Sequence, residues 1–283
     1  MDKVLATDLD GTLFYPKKKI GMVSRKNIAF LHRLKEEGDH IVLVSSRSET
    51  FLRKVQNRIG MNVDFIGADG SLVVIDGQKV RDEYFVPGEL KTLVEELRTD
   101  YDPPLFLASN QDMPLIMTKT RVSKFTNLGY FLYQFFQGVY REPWVRSDYV
   151  FFREIASGRV NKLMVMIGLS KKKRRRAFEI TEDLIKRYPQ FDFAWLDQFI
   201  EITPRGCSKA SGLAFYLDYL GLNRDNVVVV GDSGNDVPMF DAFPTQSYAM
   251  AHAPKEVREH AKGVVKRVYE LERVLYPSAD NHE

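Results

Sequence analysis

Short apolar runs that end in polar clusters recur near both ends of this sequence. Residues 4–7 lead into an acidic turn that contains glycine, residues 41–44 lead into Ser45-Ser46-Arg47, and the four valines 227–230 lead into residues 231–236. An uninterrupted apolar run of this length is typical of a strand that is buried on both faces of a parallel sheet. The pattern therefore predicts three such strands.

Helical patterns lie between the first runs. Ser24 is a suitable N-cap, Gly38 follows the expected end of the helix, and apolar residues at 28, 31 and 34 place one apolar face on it. A second helix is expected over 49–59. Alternating strands and helices indicate a parallel sheet with right-handed crossovers. Because ligands bind at the carboxyl ends of such strands, the three polar clusters should converge in space.

The alternation stops near residue 71. Residues 71–75 and 79–84, on either side of Asp76-Gly77, predict a β-hairpin. Beyond it, helices are expected at 88–99, 125–138 and 171–187, with strands near 105–108, 162–167 and 191–195. The βα pattern resumes at Lys209. We therefore predict an α/β protein with a Rossmann-like parallel-sheet core (1–84 and 201–283) and an inserted α+β cap domain (85–200).

Composition narrows the functional classes. A formal net charge of +3 over 283 residues does not by itself imply nucleic acid, although a mildly basic surface would suit an anionic substrate. The single cysteine, Cys207, excludes an internal disulfide framework and fits a reducing compartment. The longest uncharged stretch, 125–140, is too short and too polar to span a bilayer. We expect a cytoplasmic protein that contacts no membrane.

The stretch Asp8-Leu9-Asp10-Gly11-Thr12 carries the most chemical information. Two carboxylates two residues apart in a loop after a strand can face one cavity, and they can divide the work of attack or metal binding from that of carrying a proton. Gly11 lets the backbone turn closely, so that N–H groups can point at an anion. The alternative is a solvated Asp-Gly turn.

Three further candidates come from the other strand ends. Asp232 can supply a second carboxylate to a hard cation, and it needs a partner at the end of an apolar strand. Lys209 precedes a helix and can neutralise a phosphoryl oxygen, and Ser45 offers a hydroxyl donor. The alternatives for Lys209 and Ser45 are a solvated lysine and an unremarkable serine. Asn235 and Asp236, which open the next helix, could serve only as its caps, whereas Asp232 is harder to explain in this way.

Together these segments resemble the haloacid dehalogenase superfamily of phosphotransferases. Residues 8–12 match its first motif, Ser45 its hydroxyl motif, Lys209 its basic motif and residues 231–236 its acidic motif. The position of the insertion is most similar to the Cof-type branch, which has an α/β cap of the C2 type. Where that branch has Thr-Gly-Arg, this chain has Ser45-Ser46-Arg47, and Asp69 and His252 stand where Asn is usual.

The resemblance implies an enzyme that cleaves phosphomonoesters with Mg²⁺. Asp8 would be the nucleophile that becomes an aspartyl phosphate, and Asp10 would be the general acid and base. Mg²⁺ would lie between the Asp8 carboxylate, the Asp10 backbone carbonyl and Asp232. The phosphate would be held by a second set of groups, namely Ser45, Lys209, Gly11 and Asn235.

Asp236 and Arg47 have further expected roles, the first implied by the resemblance and the second by its position after the second strand. Asp236 would orient Lys209 or a metal-bound water. Arg47, at the mouth of the cleft, could contact a second anionic group on the substrate. A carboxylate at position 10 favours a phosphatase of sugar phosphates or similar small phosphoesters, and a phosphomutase or a non-catalytic phosphometabolite-binding protein is the alternative.

The predicted cap yields little about the substrate. Apolar residues at helical spacing over 125–139 favour packing within the cap, and Tyr130 and Tyr133 fall on another face of that helix. The basic run 171–176 is interpreted as a solvated helix face. No aromatic platform accompanies it, so no nucleic-acid partner is expected. The sequence specifies neither the substrate nor the oligomeric state.

Overall fold

The computed structural model describes residues 2–16, 22–110, 114–118, 145–168, 170–196 and 199–277. Two β-sheets organise these residues, and helices pack against both. The predicted α/β class is confirmed.

The larger sheet has eight strands in the order β14-β13-β12-β1-β2-β3-β4-β5. Neighbouring strands from β14 to β3 are parallel, and β4 and β5 are antiparallel to their neighbours. The strands are β1 (Val4–Asp8), β2 (His40–Val44), β3 (Asp64–Gly67), β4 (Leu72–Ile75), β5 (Gln78–Asp82), β12 (Val227–Gly231), β13 (Ser247–Met250) and β14 (Gly263–Val265).

The second sheet has six strands in the order β10-β11-β9-β6-β7-β8. Its pairs are antiparallel except for β7 with β8, which is parallel. The strands are β6 (Leu105–Asn110), β7 (Pro114–Thr118), β8 (Val145–Arg146), β9 (Val160–Met166), β10 (Phe191–Leu196) and β11 (Phe199–Pro204).

Nine α-helices lie in the described residues. They are α1 (Arg25–Glu36), α2 (Glu49–Ile59), α3 (Pro87–Tyr101), α4 (Asp148–Ala156), α5 (Lys171–Arg187), α6 (Lys209–Leu220), α7 (Val237–Ala242), α8 (Lys255–Arg258) and α9 (Glu272–Leu275). None of these helices is long and apolar enough to cross a bilayer.

Strand β1 lies in the middle of the larger sheet, and all five of its residues are buried. Its side chains alternate between two apolar layers, with Leu5 on the layer that contains α1 and α2, and Val4 and Ala6 on the layer that contains α6 and α7. This burial on both faces explains the unbroken apolar run in the sequence. Asp8, at the end of the strand, is therefore fixed by a packed core.

Several local predictions are confirmed. The hairpin forms as β4 and β5 around Asp76 and Gly77, both with positive φ. Helix α1 begins after Ser24, whose hydroxyl accepts a hydrogen bond from Asn27 N at 3.1 Å. Helices α2 and α5 occupy the expected ranges 49–59 and 171–187.

Other elements were missed, and some predictions are untested. The pattern did not predict β7, β8, α4 or β11. The helix expected over 125–138, together with Tyr130 and Tyr133, lies outside the described residues. The division into residues 1–84, 85–200 and 201–283 stays a prediction, and β11 extends the second sheet to Pro204.

Tyr216 ties α6 to the larger sheet, and it provides a test of the packing. Its side chain is fully buried, and its hydroxyl donates to Asp64 Oδ2 at 2.8 Å. We expect Tyr216→Phe to lower the free energy of unfolding by roughly 1–3 kcal/mol, because the bond to the carboxylate is lost. Urea unfolding measures this, with Tyr219→Phe on the exposed face of α6 as the matched control. Equal stability of the two variants would contradict the assignment.

Candidate active site

Strands β2, β1 and β12 are adjacent and parallel, so their carboxyl ends lie at one edge of the larger sheet. The register pairs Asp8 with Val44, and Thr7 with Val230. Ser45 and Asp232, which follow these strands, therefore lie at the same edge as Asp8. The predicted convergence of the polar clusters is present in the structure.

A buried ion-pair chain lies at this edge. Lys209 is 2% exposed, and its Nζ is 2.8 Å from Asp8 Oδ1 and 2.6 Å from Asp236 Oδ1. Lys209 is held in place as the first residue of α6, after Ser208, which forms a capping box with Ser211. One ammonium group thus bridges the carboxylate of Asp8, at the end of β1, and that of Asp236, in the loop after β12.

Burial and the neighbouring charges together set the pKa values of Asp8 and Lys209. It raises the pKa of Asp8 well above its ordinary value, and Asp236 and Asp232 add to the rise while Lys209 opposes it. Burial alone would lower the pKa of Lys209, but the adjacent carboxylates of Asp236 and Asp8 raise it well above the ordinary lysine value. Lys209 is therefore a permanent positive charge beside Asp8.

The turn after β1 closes on Asp232. Gly11 has φ +86°, and a Cβ on it would come within 2.2 Å of Asp232 Oδ2. Only glycine allows this approach of backbone to carboxylate. Thr12 Oγ1 donates to Asp232 Oδ1 at 3.0 Å. Burial, followed by the charge of Asp236, raises the pKa of Asp232 to about 7.

The loop after β12 is shaped by Asp236. Its Oδ2 accepts hydrogen bonds from the backbone N–H groups of Asp232 at 2.8 Å and Ser233 at 2.9 Å. A Cβ on Gly231 would lie 2.3 Å from Asp236 Cγ, so glycine is required there as well. Asp236 therefore fixes both the loop and Lys209.

The oxygen atoms at this edge fit a hard divalent cation. Oxygens of Asp8, Asp232 and Asp236 lie within 4.8 Å of one another. Asp8 Oδ2 is buried and has no hydrogen-bond partner among the described residues, whereas Asp236 is engaged by Lys209 and the loop. A buried carboxylate oxygen without a donor needs a positive partner. Asp8 and Asp232 thus form the part of the cluster that suits a divalent cation.

Asp10 is held by Arg47. The guanidinium donates from Nε to Asp10 Oδ2 at 2.5 Å and from a terminal nitrogen to Asp10 Oδ1 at 2.9 Å. Arg47 also stacks over Phe51, with 4.1 Å between the guanidinium carbon and the ring centroid. The sequence predicted a substrate contact for Arg47, and this contact with Asp10 was not anticipated.

Ser45 follows β2 and Asn235 follows β12, so the two residues lie on either side of β1. Ser45 is 1% exposed, and its Oγ accepts from Arg47 N at 3.2 Å. Asn235 Nδ2 donates to Asp69 Oδ1 at 3.2 Å, and its Oδ1 accepts from Ser233 Oγ at 2.6 Å. In this structure Asn235 braces the loop, which is one of the two roles open to it.

Sequence reasoning missed several residues at or near the site. Thr12 belongs to the first motif, but the sequence does not predict its contact with Asp232. His252 Nε2 is 3.5 Å from Asp232 Oδ2, and the ring of His252 stacks on that of Tyr15 at 3.9 Å. Lys162 and Glu201, on the second sheet, are buried near Asp69. The sequence carries no signal for Lys162 or Glu201 beyond a charged residue within an otherwise apolar stretch.

Comparison with known proteins agrees with this geometry. A family model described as haloacid dehalogenase-like hydrolase matches residues 5–275. The chain belongs to this family. It is therefore a hydrolase of the haloacid dehalogenase type, as the motifs predicted.

Full-length relatives extend the comparison. The chain is 23% identical over 269 residues to a Bacillus subtilis protein named "Putative phosphatase YkrA". The alignment covers 95% of this chain and 93% of the relative. A haloacid dehalogenase-like hydrolase from B. subtilis superposes with a TM-score of 0.79 at 17% identity, covering 97% and 100% of the two chains. The sugar phosphatase BT4131 gives a TM-score of 0.73 at 17% identity, with 96% and 98% covered. These two structures share the fold.

The bridging role of Lys209 can be tested through stability. We expect Lys209→Met to lower the free energy of unfolding by roughly 3–5 kcal/mol, because it leaves two buried carboxylates uncompensated. The raised pKa of Asp8 means that the loss should shrink as the pH falls and that carboxyl group is protonated. The measurement is urea unfolding at several pH values. Lys255→Met, which removes an exposed pair with Glu259, should have little effect, and a similar loss there would contradict the prediction.

Proposed function

We propose that this protein is a magnesium-dependent phosphatase that hydrolyses small phosphorylated metabolites through an aspartyl phosphate on Asp8. One observation carries the proposal. Asp8 is a buried carboxylate at a strand end, with one oxygen bound to Lys209 and the other without a hydrogen-bond donor in the described part of the chain. This arrangement is suited to nucleophilic attack next to a cation.

In the first step, a carboxylate oxygen of Asp8 attacks phosphorus and the bond to the leaving alcohol breaks. The alcohol oxygen takes a proton from Asp10 as it leaves. Lys209, which is fixed by Asp236 at 2.6 Å, neutralises charge on the phosphoryl group, and Ser45 donates from the neighbouring strand end. The turn at Gly11 presents backbone N–H groups, and Asn235 borders the same site.

In the second step, Asp10 takes a proton from water, and that water attacks phosphorus. The bond between phosphorus and Asp8 breaks, which releases inorganic phosphate and restores both carboxyl groups. Proton transfer by Asp10 requires its pair with Arg47 to open, because both carboxylate oxygens accept from the guanidinium. Arg47 would then be available to a second anionic group of the substrate.

The metal would be held by the carboxylates of Asp8 and Asp232 and by the backbone carbonyl of Asp10. When bound, Mg²⁺ supplies positive charge to a phosphoryl oxygen and to the attacking carboxylate. The unpartnered Oδ2 of Asp8 and the oxygen cluster with Asp232 support this assignment.

Sugar phosphates are the proposed substrate class. The support is the fold shared with the sugar phosphatase BT4131 and the carboxylate at position 10, which suits alcohol and water chemistry. A cytoplasmic location is part of the proposal, and the single, buried Cys207 is compatible with it. A phosphometabolite panel assayed for free phosphate distinguishes hydrolysis from transfer to a second hydroxyl.

The two catalytic carboxylates should differ in their effects. Asp8→Asn should abolish release of phosphate from p-nitrophenyl phosphate, because no nucleophile remains. Asp10→Asn should lower kcat by about 100- to 10,000-fold, since proton transfer is lost. Asp218→Asn, an exposed carboxylate on α6, serves as the matched control. Normal turnover by Asp8→Asn would refute the mechanism.

The metal dependence should change with pH. Asp232 binds a cation only when ionised, and its pKa is raised to about 7 by burial and by Asp236. We therefore expect the apparent affinity for Mg²⁺ to weaken as the pH falls through about 7. Titrating p-nitrophenyl phosphate turnover with MgCl₂ across this range measures the effect. An affinity independent of pH, or turnover without added metal after chelation, would contradict this prediction.

A further inference from the structure

Three charged side chains that the mechanism does not use are buried together beside the candidate site. Asp69 follows β3, Lys162 lies on β9 and Glu201 lies on β11, and their exposed fractions are 5%, 3% and 2%. We refer to these three residues as the buried triad. It joins the larger sheet to the second sheet, since Asp69 lies in the turn between β3 and β4 and the other two residues lie on strands of the second sheet.

Lys162 is the centre of the buried triad. Its Nζ lies 3.2 Å from Asp69 Oδ2, 2.9 Å from Glu201 Oε1 and 2.5 Å from the backbone carbonyl of Ser46. An ammonium group has three hydrogens, and here three oxygens surround it. A buried charge with so complete a set of partners is costly to disturb.

Two contacts of Lys162, with the Ser46 carbonyl and with Asp69, lead to candidate phosphate-binding groups. Ser46 is next to Ser45, and Asp69 N donates to the Ser45 carbonyl at 3.2 Å. The second carboxylate oxygen of Asp69 accepts from Asn235 Nδ2 at 3.2 Å. Lys162 therefore binds the residue next to Ser45 directly, and it reaches Asn235, in the loop after β12, through Asp69.

The turn that carries Asp69 is strained and closely packed. Ala68, Asp69 and Gly70 all have positive φ, at +46°, +52° and +93°. Alanine rarely adopts this conformation, so surrounding contacts must maintain it. A Cβ on Gly70 would lie 2.0 Å from the carbonyl of Ser208, the residue before Lys209. The turn thus contacts a third phosphate-binding segment, the start of α6.

The electrostatic balance fits a fixed structural charge. Burial lowers the pKa of Lys162, but Glu201 and Asp69 outweigh that effect and raise it. Burial raises the pKa of Asp69, but the charge of Lys162, a hydrogen bond with Glu201 and the charge of Lys209 together outweigh it, and the net shift is downward. Burial, followed by the charge of Asp69, raises the pKa of Glu201 to about 7. Asp69 and Lys162 are therefore the permanently charged pair, and Glu201 can adjust by taking up a proton.

We propose that Lys162 is a positioning residue for catalysis: from the second sheet it holds the turn at Asp69 and the carbonyl of Ser46, and so places Ser45, Asn235 and the start of α6 around the phosphate. Turnover then depends on docking of the second sheet against the larger one. The proposal rests on the proposed phosphatase function and assigns a role to a residue outside the catalytic motifs.

The test compares Lys162→Met with Lys162→Arg. Lys162→Met keeps an unbranched side chain of nearly the same length and removes the charge. Lys91→Met, which removes an exposed pair with Glu95 in α3, is the matched control. We expect Lys162→Met to lower kcat for p-nitrophenyl phosphate by about 10- to 100-fold, the range usual for residues that position the groups in contact with the ligand. KM should change less, Lys162→Arg should recover part of the loss, and Lys91→Met should behave as wild type.

A second readout separates this proposal from the proposed function. Binding of inorganic phosphate in the presence of Mg²⁺, measured by calorimetry, should be weaker for Lys162→Met than for wild type. If wild type binds phosphate without hydrolysing any phosphoester, the proposed function fails, and the phosphate affinities still test the positioning role. If Lys162→Met has normal kcat and normal phosphate affinity, with only a lowered Tm, the positioning role is refuted.

A charge-balanced variant covers the case in which Lys162→Met does not fold. The double variant Lys162→Met/Asp69→Asn removes both permanent charges, and Glu201 can become neutral by protonation. It is compared with Asp69→Asn alone, so that the difference reports on Lys162. Because Lys162 also holds the Ser46 carbonyl, a further loss of kcat in the double variant supports the proposal, and wild-type kcat in both variants overturns it.

Discussion

The rest of the site depends on the ammonium group of Lys209 between Asp8 and Asp236. Carboxylates so close together in a buried environment repel each other, and without a cation burial would favour their neutral forms. Lys209 opposes the rise in the pKa of Asp8 that burial causes, and Asp236 in turn fixes the lysine. The strand ends bring Asp8 and Asp236 close together, and Lys209 supplies the positive charge between their carboxylates.

Close backbone approach is the second condition for the site. Gly11 and Gly231 each lie where a Cβ would collide with a carboxylate, Asp232 in one case and Asp236 in the other. The carboxylates therefore pack directly against main chain, and the N–H groups of the loop bind Asp236. The glycines determine how tightly the two loops can close around an anion.

The sequence predicts the features of this fold that have a local cause. Strands β1, β2 and β12 are buried on both faces, so their apolar runs and polar ends are visible without any partner. The helix that follows Ser24 is equally visible, because its cap is set by residues three apart. The convergence of the strand ends follows from the rules for parallel sheets.

What the sequence does not predict has distant causes. Lys162 lies 93 residues from Asp69, and Arg47 lies 37 residues from Asp10, so no periodicity indicates either pair. Strand β11 was missed because its alternation of Ile200 and Ile202 with the buried Glu201 hides its burial on both faces. A charged residue at a buried strand position contradicts the usual pattern, and the partners that explain it, Lys162 on β9 and Asp69 after β3, are distant in the sequence.

The order of the strands also bears on how the chain acquires its structure. Strand β1 is made first but lies between β2 and β12, and Asp8 contacts Lys209 from 201 residues away. During synthesis, β1 must wait with one edge unpaired until the last third of the chain emerges. The larger sheet is therefore a structure of long-range contacts, of the kind that forms slowly and is vulnerable to aggregation before it closes. Truncated nascent chains of this protein should accordingly be candidates for binding by chaperones that recognise apolar strands.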